Sequence, residues 1–171
     1  MNFGEIEVKI NKPYPEIENA KEDFQTVAIL KNLATSRYGE LNGVLQYIYQ
    51  SVIADQVDQD IAAVFEEIGI VEMMHLDMLM HAIVDFGGNP KYEDAQGTPY
   101  NVSNVNYSTK LKDMLEGNIK DEQMAIQNYT QAISKVKNES LRRLLERILE
   151  DEERHLEIFK SVRNNVKFLS I

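Results

Sequence analysis

Glu72-x-x-His75 and Glu152-x-x-His155 are one helical motif written twice, 80 residues apart, and few folds can use both copies at once. An α-helix advances about 100° per residue, so positions i and i+3 share a face and each copy aims a carboxylate and an imidazole at one point. Each copy also has a glutamate upstream at a nearly matched interval: Glu40 lies 32 residues before Glu72, and Glu122 lies 30 before Glu152. The chain thus reads as a helix with Glu, a helix with Glu-x-x-His, and the same again. Four antiparallel helices with one Glu from each of two, and Glu-x-x-His from each of the other two, converge on a dimetal carboxylate centre. The expected fold is all-α, a four-helix bundle with a long crossover between helices 2 and 3.

The hydrophobic pattern supports that order. Residues 1–18 carry Pro13 and Pro15, have no helical period, and read as an extended N-terminal arm lying on the domain or on a neighbouring subunit. Residues 19–171 are expected to form the bundle. Its first leg, Asn19 to about Ala54, is interrupted by Gly39 and Gly43, which allows two helices or one bent helix and permits close approach of a partner. The second, capped by Asp55 or Asp58, runs to Phe86 and stops at Gly87-Gly-Asn-Pro90. Residues 91–107 have neither period and form the crossover. The third leg runs from about Ser108 to Lys137; Asn138 suits a left-handed C-cap, and Ser140 opens the fourth. Glu72 and His75 interrupt the apolar stripe of Ile61, Phe65, Ile68 and Leu79, and Glu152 and His155 interrupt that of Leu145, Ile148 and Phe159.

Four carboxylates and two imidazoles left in a bundle core without a cation would cost several kcal/mol per unpaired charge. Two divalent cations remove that cost. The expected metal residues are Glu40, Glu72, His75, Glu122, Glu152 and His155, with Glu72 and Glu152 between the metals. Glu152 has an alternative role, as a proton acceptor and donor outside the ligand set. The sequence has no cysteine, so thiolate ligands are excluded, and oxygen donors with two imidazoles suit iron or manganese. Tyr47 and Tyr129 each follow a glutamate, Glu40 and Glu122, by seven residues, nearly two turns. Each tyrosine therefore shares its glutamate's stripe, where a phenol can orient a ligating carboxylate; the competing reading is two ordinary core aromatics. Glu116 is a candidate outer acid. Glu66, Glu67, Glu150, Asp151 and Glu153 are expected to be solvated or locally paired, His81 to lie at the surface, and Met73, Met74, Met78 and Met80 to fill space.

A formal net charge of −10 repels nucleic acid and anionic lipid, so neither is an expected partner. No apolar run approaches the ~20 residues that span a bilayer, and Met1 to Glu7 do not spell a signal peptide. The expected location is cytoplasmic.

These residues resemble the ferritin-like superfamily over about residues 20 to 165. Tyr38-Gly-Glu-Leu-Asn-Gly-Val-Leu-Gln-Tyr47 and Ile68-Gly-Ile-Val-Glu-Met-Met-His75 look like the first two metal-binding helices of manganese catalases, and Leu149-Glu-Asp-Glu-Glu-Arg-His155 is similar to bacterioferritins. Rubrerythrins resemble the chain too, although they usually add a cysteine-bound rubredoxin module and a glutamate where this chain has Ile119. The resemblance implies two divalent metal ions per subunit, Mn or Fe, and a homo-oligomer. It implies a small-molecule substrate, hydrogen peroxide or dioxygen. Glu152, Tyr47 and Tyr129 are the expected catalytic residues. Disproportionation of peroxide, as in manganese catalases, needs no outside electrons. The alternatives are a rubrerythrin-like peroxidase with an external electron donor and a bacterioferritin-like ferroxidase or iron store.

Overall fold

In a computed structural model, which describes residues 6–166, five α-helices follow the expected order. They are α1 (Phe24–Thr35), α2 (Glu40–Ala54), α3 (Gln59–Asp85), α4 (Leu111–Lys135) and α5 (Glu139–Val166). The first five residues of the expected arm and the last five of the expected bundle lie outside the described residues. The four legs are α1 with α2, then α3, α4 and α5, packed chiefly as two hairpins, α2 on α3 and α4 on α5. No helix among the described residues is long and apolar enough to cross a membrane.

The first leg is two helices, broken over residues 36–39. Gly39 stands at the N-cap of α2, and a Cβ there would overlap the Leu33 carbonyl oxygen, so the chain can leave α1 and restart at Glu40 only with glycine in this place. Asp58, not Asp55, caps α3, accepting the Ile61 amide at 3.1 Å. Gly87 ends the helix with φ +84°, and the Gly88 amide returns to the Ile83 carbonyl at 2.7 Å. Asn138 departs from expectation. It is not left-handed; its side chain accepts the Leu141 amide at 2.9 Å and so caps the start of α5 instead of the end of α4.

The core divides in two. One apolar cluster gathers Leu30, Leu33, Leu79, Ile83, Tyr129, Leu141 and Leu145; the other gathers Tyr47, Phe65, Ile68, Met114, Leu115 and Phe159. On α3, α4 and α5 the change from one cluster to the other falls at Glu72/His75, Glu122 and Glu152/His155. A polar layer therefore cuts the bundle across its middle.

Two irregular segments close the outside of this layer. Residues 7–18 run antiparallel along α5: Arg154 donates to the Glu7 carbonyl, Arg147 to those of Ile10 and Lys12, and Asn138 to that of Glu18. The crossover docks on α1 and α2. Lys31 pairs with Glu93 at 2.9 Å, Tyr100 donates to Asn42 Oδ1 at 2.7 Å, and the Asn106 amide donates to Gln46 Oε1 at 2.8 Å. Gln46, Gln50 and Asn118 continue as a buried amide ladder between α2 and α4.

Candidate metal centre

Helical phase brings all six predicted residues into the polar layer. Glu40 begins α2, Glu72 and His75 lie on α3, Glu122 on α4, and Glu152 and His155 on α5; each is at most 3% exposed. Their ligand atoms form two overlapping groups, Glu40 with Glu72, His75 and Glu152, and Glu122 with Glu72, Glu152 and His155, the atoms of each group within 4.8 Å of one another. Both imidazoles present Nδ1 to the carboxylates. His75 Nδ1 is 3.1 Å from Glu152 Oε1 and 3.6 Å from Glu40 Oε2, and His155 Nδ1 is 3.0 Å from Glu72 Oε1 and 4.0 Å from Glu152 Oε1. Gly43 makes room for the approach of α2 to α3, since a Cβ there would stand 3.1 Å from the Glu72 side chain.

Five of these buried atoms have no hydrogen-bond partner: Glu40 Oε2, Glu72 Oε1, Glu152 Oε1 and the Nδ1 atoms of His75 and His155. Orphaned polar atoms in a dry core are costly, and here all five face the same two points. A divalent cation at each point satisfies them, with oxygen and imidazole donors that suit iron or manganese. The residues fit such a pair.

The electrostatics of the metal-free site carry the same message. Burial, with the Glu152 and Glu40 charges, pushes the Glu72 carboxyl well above its usual range; burial and Glu152 do the same to Glu122. Burial and Glu40 raise Glu152 to about 7. Glu40 goes the other way: burial opposes its charge, but the nearness of Glu72 and His75 outweighs it. Burial thus favours the protonated form of Glu72, Glu122 and Glu152 in the metal-free site, protons that a bound cation would displace.

Tyr47 and Tyr129 are more than core aromatics. Tyr47 on α2 donates to Glu122 Oε1 on α4 at 2.5 Å, and Tyr129 on α4 donates to Glu40 Oε1 on α2. The exchange is reciprocal, as two hairpins related by a pseudo-twofold require. It occupies one oxygen of each of these two carboxylates. Tyr129→Phe is expected to free Glu40 and weaken metal binding about 10–100-fold, the usual worth of such outer partners; a metal titration beside a thermal melt separates this from unfolding.

One expectation is only half met. Asp151, expected to be solvated or locally paired, does pair with Arg147 one turn before it, but it is wholly buried and holds three further partners. Its Oδ2 accepts from the Tyr14 hydroxyl at 2.6 Å and from Nε2–H of His75 at 3.2 Å; its Oδ1 accepts from the Ile10 amide at 2.7 Å and forms an ion pair with Arg147 Nη1 at 2.8 Å. Burial would raise its pKa, but these donors hold it well below the ordinary carboxylate range. Tyr14, pushed up to about 12 by burial, stays a donor. The pair Arg147 and Asp151, spaced i and i+4, was the signal in the sequence; Tyr14 left none, because its part depends on where the arm lies. Glu116 is exposed beside Lys112, far from the outer-acid role considered for it, and His81 is exposed beside Asp77.

Access is narrow. A cleft of about 20 Å³ reaches the carboxylates between α2 and α4, lined among others by Tyr38, Asn42, Gln46 and Asp121. That is space for about one water-sized molecule.

A sequence model of the rubrerythrin family matches residues 31–163. A bacterioferritin of Desulfovibrio desulfuricans is 27% identical over 145 residues, 82% of this chain and 77% of that protein. A probable manganese catalase of Clostridium acetobutylicum is 23% identical over 174 residues, 89% and 76% of the two chains. Among solved structures, a manganese catalase from Anabaena PCC7120 superposes with a TM-score of 0.83 over 92% of this chain and 80% of its own, at 22% identity, a likeness of fold.

Proposed function

The chain belongs to the rubrerythrin family, and from that membership we propose that it is a dimetal-carboxylate oxidoreductase that disproportionates hydrogen peroxide. The observation that carries the proposal is the convergence of five unpartnered buried atoms on two points that share Glu72 and Glu152. The narrow cleft favours a substrate of two oxygen atoms over any larger molecule. A relative described as a probable manganese catalase supports the choice among small oxidants.

Bound as a pair, manganese or iron supplies Lewis acidity and a two-electron redox couple. The remaining work falls to side chains. Oxidising one peroxide to dioxygen releases two electrons and two protons, and reducing a second peroxide to two waters takes up both. Both protons must be kept or exchanged between the halves. Glu152 borders the cleft, so in this reading it stays outside the ligand set and is the proposed carrier of one proton, the other passing to water at the cleft. Tyr47 and Tyr129 hold Glu122 and Glu40 in orientation. Asn42 and Gln46 line the entry with amides.

A second reading rests on the same residue. Glu152 belongs to both groups of ligand residues, and its Oε1 lies 3.1 Å and 4.0 Å from the two Nδ1 atoms, so it would serve instead as a ligand common to both positions, as suits a reductant-dependent peroxidase or a ferroxidase. The bacterioferritin relative supports that alternative.

The test is to load the protein with manganese, add hydrogen peroxide without reductant, and follow oxygen on an electrode. One oxygen per two peroxides is expected. Silence with manganese and with iron, and peroxide loss only once a reductant is added, would transfer the assignment to a peroxidase; oxygen uptake on adding ferrous iron would transfer it to a ferroxidase.

A further inference from the structure

The pseudo-twofold that exchanges Tyr47 with Tyr129 fails at the back of the two imidazoles. On the His75 side, Nε2 meets Asp151, a charged acceptor whose remaining capacity is filled by Tyr14, Arg147 and the Ile10 amide. Three of these contacts involve the arm or its anchor, since Arg147 also donates to the Ile10 and Lys12 carbonyls and lies 4.5 Å from the Tyr14 ring centroid. On the other side no carboxylate backs the ring: His155 Nε2 is buried without a close hydrogen-bond partner, and what the arm offers this imidazole is the neutral backbone of Val8. The difference is written in the repeat: the residue before Glu152 is Asp151, and the residue before Glu72 is Val71. By the pseudo-twofold, Val71 occupies the place from which a carboxylate would support His155.

We infer that the N-terminal arm makes the two metal positions unequal, by locking a charged carboxylate, Asp151, onto His75 while His155 receives only neutral backbone, so that the position of Glu40 and His75 binds a divalent cation more tightly than that of Glu122 and His155. A carboxylate behind a ligating imidazole fixes ring orientation and raises donor strength, and its loss costs about 10–100-fold in metal affinity. Tyr14 and Asp151 are positioning residues, acting through His75. The inference rests on the dimetal reading of the site.

The test is anaerobic calorimetric titration of the metal-free, full-length protein with manganese(II). The wild type is expected to show two events of one ion per chain each. Glu122→Gln isolates the position of Glu40 and His75, and Glu40→Gln isolates that of Glu122 and His155. Tyr14→Phe, which removes one hydroxyl, is expected to weaken binding about 10–100-fold in the first background and to leave it within about twofold in the second. Asp151→Asn serves as a second variant with the same expected asymmetry. A merely structural role for the arm would lower affinity in both backgrounds alike, and equal loss in both, or none in either, overturns the inference. A wild type that binds two ions with one affinity also overturns it, whereas a wild type that binds no stoichiometric metal removes the dimetal reading itself.

Discussion

Glu72→Ala is expected to hold no stoichiometric metal and to release no oxygen from peroxide, while remaining folded. The Glu72 carboxylate stands in both groups of ligand atoms, so one truncation takes a donor from each position. Its Oε1 makes no hydrogen bond within the protein and so is free for a cation. Outer partners alone are worth about 10–100-fold in affinity or activity; removal of a shared donor should exceed that and take both below detection. The fold should survive, because the metal-free protein already holds Glu72 against burial that disfavours its charge, and deleting the carboxyl relieves that cost. Gly43, against the Glu72 side chain, leaves the neighbouring helix free to settle into the vacated space. Metal content after reconstitution, an oxygen electrode and a thermal melt together check the prediction. An active, metal-loaded Glu72→Ala protein would sink the dimetal assignment.

Metal removal should produce a pH-dependent loss of stability. Glu152, raised to about 7, and Glu72 and Glu122, raised well above the usual value, keep protons in the fold that the unfolded chain gives up near pH 4.5. Their stabilising contribution is full below that pH and is lost as pH rises through the folded values; for Glu152 alone the loss is on the order of 3 kcal/mol. His75, also raised, because burial is outweighed by its carboxylate neighbours Asp151, Glu152 and Glu40, loses its contribution in the same direction. His155, pushed down to about 3 by burial, works the other way below its ordinary value of 6.5. The decline should therefore be clearest from pH 6.5 upward. Glu40 and Asp151, both lowered, change stability only at acid pH. Two bound cations replace the protons, so the melting temperature of the loaded protein should not fall over the same window. A ligand at 1,000 times its Kd adds about 4 kcal/mol, and a chain of this size shifts about 2–4 °C per kcal/mol. A gap of roughly 10 °C or more between loaded and metal-free protein, widening with pH, is expected in calorimetry. A gap that narrows with pH would contradict the placement of these carboxyls.

Much of the site was legible because it is built from regular helix. Glu40, Glu72, His75, Glu122, Glu152 and His155 could be put on inward faces from the 3.6-residue period alone, and the offset of seven tied each tyrosine to that layer. The period did not say across which gap each tyrosine reaches. Tyr47 and Tyr129 serve the glutamate of the opposite helix, a consequence of how α2 faces α4. The local pair of Asp151 with Arg147 was legible but its burial was not, because Asp151 lies about 100° around the helix from the inward-facing Glu152. In the protein that direction is covered by the arm and by His75.

The sequence by itself determined the all-α class, the order of the four legs, the crossover and the six residues of the polar layer, because each follows from local periodicity, caps and the doubled motif. Only the tertiary structure decided the break before Glu40, the reciprocal tyrosine bonds and the burial of Asp151 beneath Tyr14 and Arg147. The tyrosine bonds join residues that stand 75 and 89 positions apart, the burial of Asp151 follows the path of an arm with no period of its own, and the break turns on how closely Gly39 approaches the Leu33 carbonyl; local propensity carries no information about any of these.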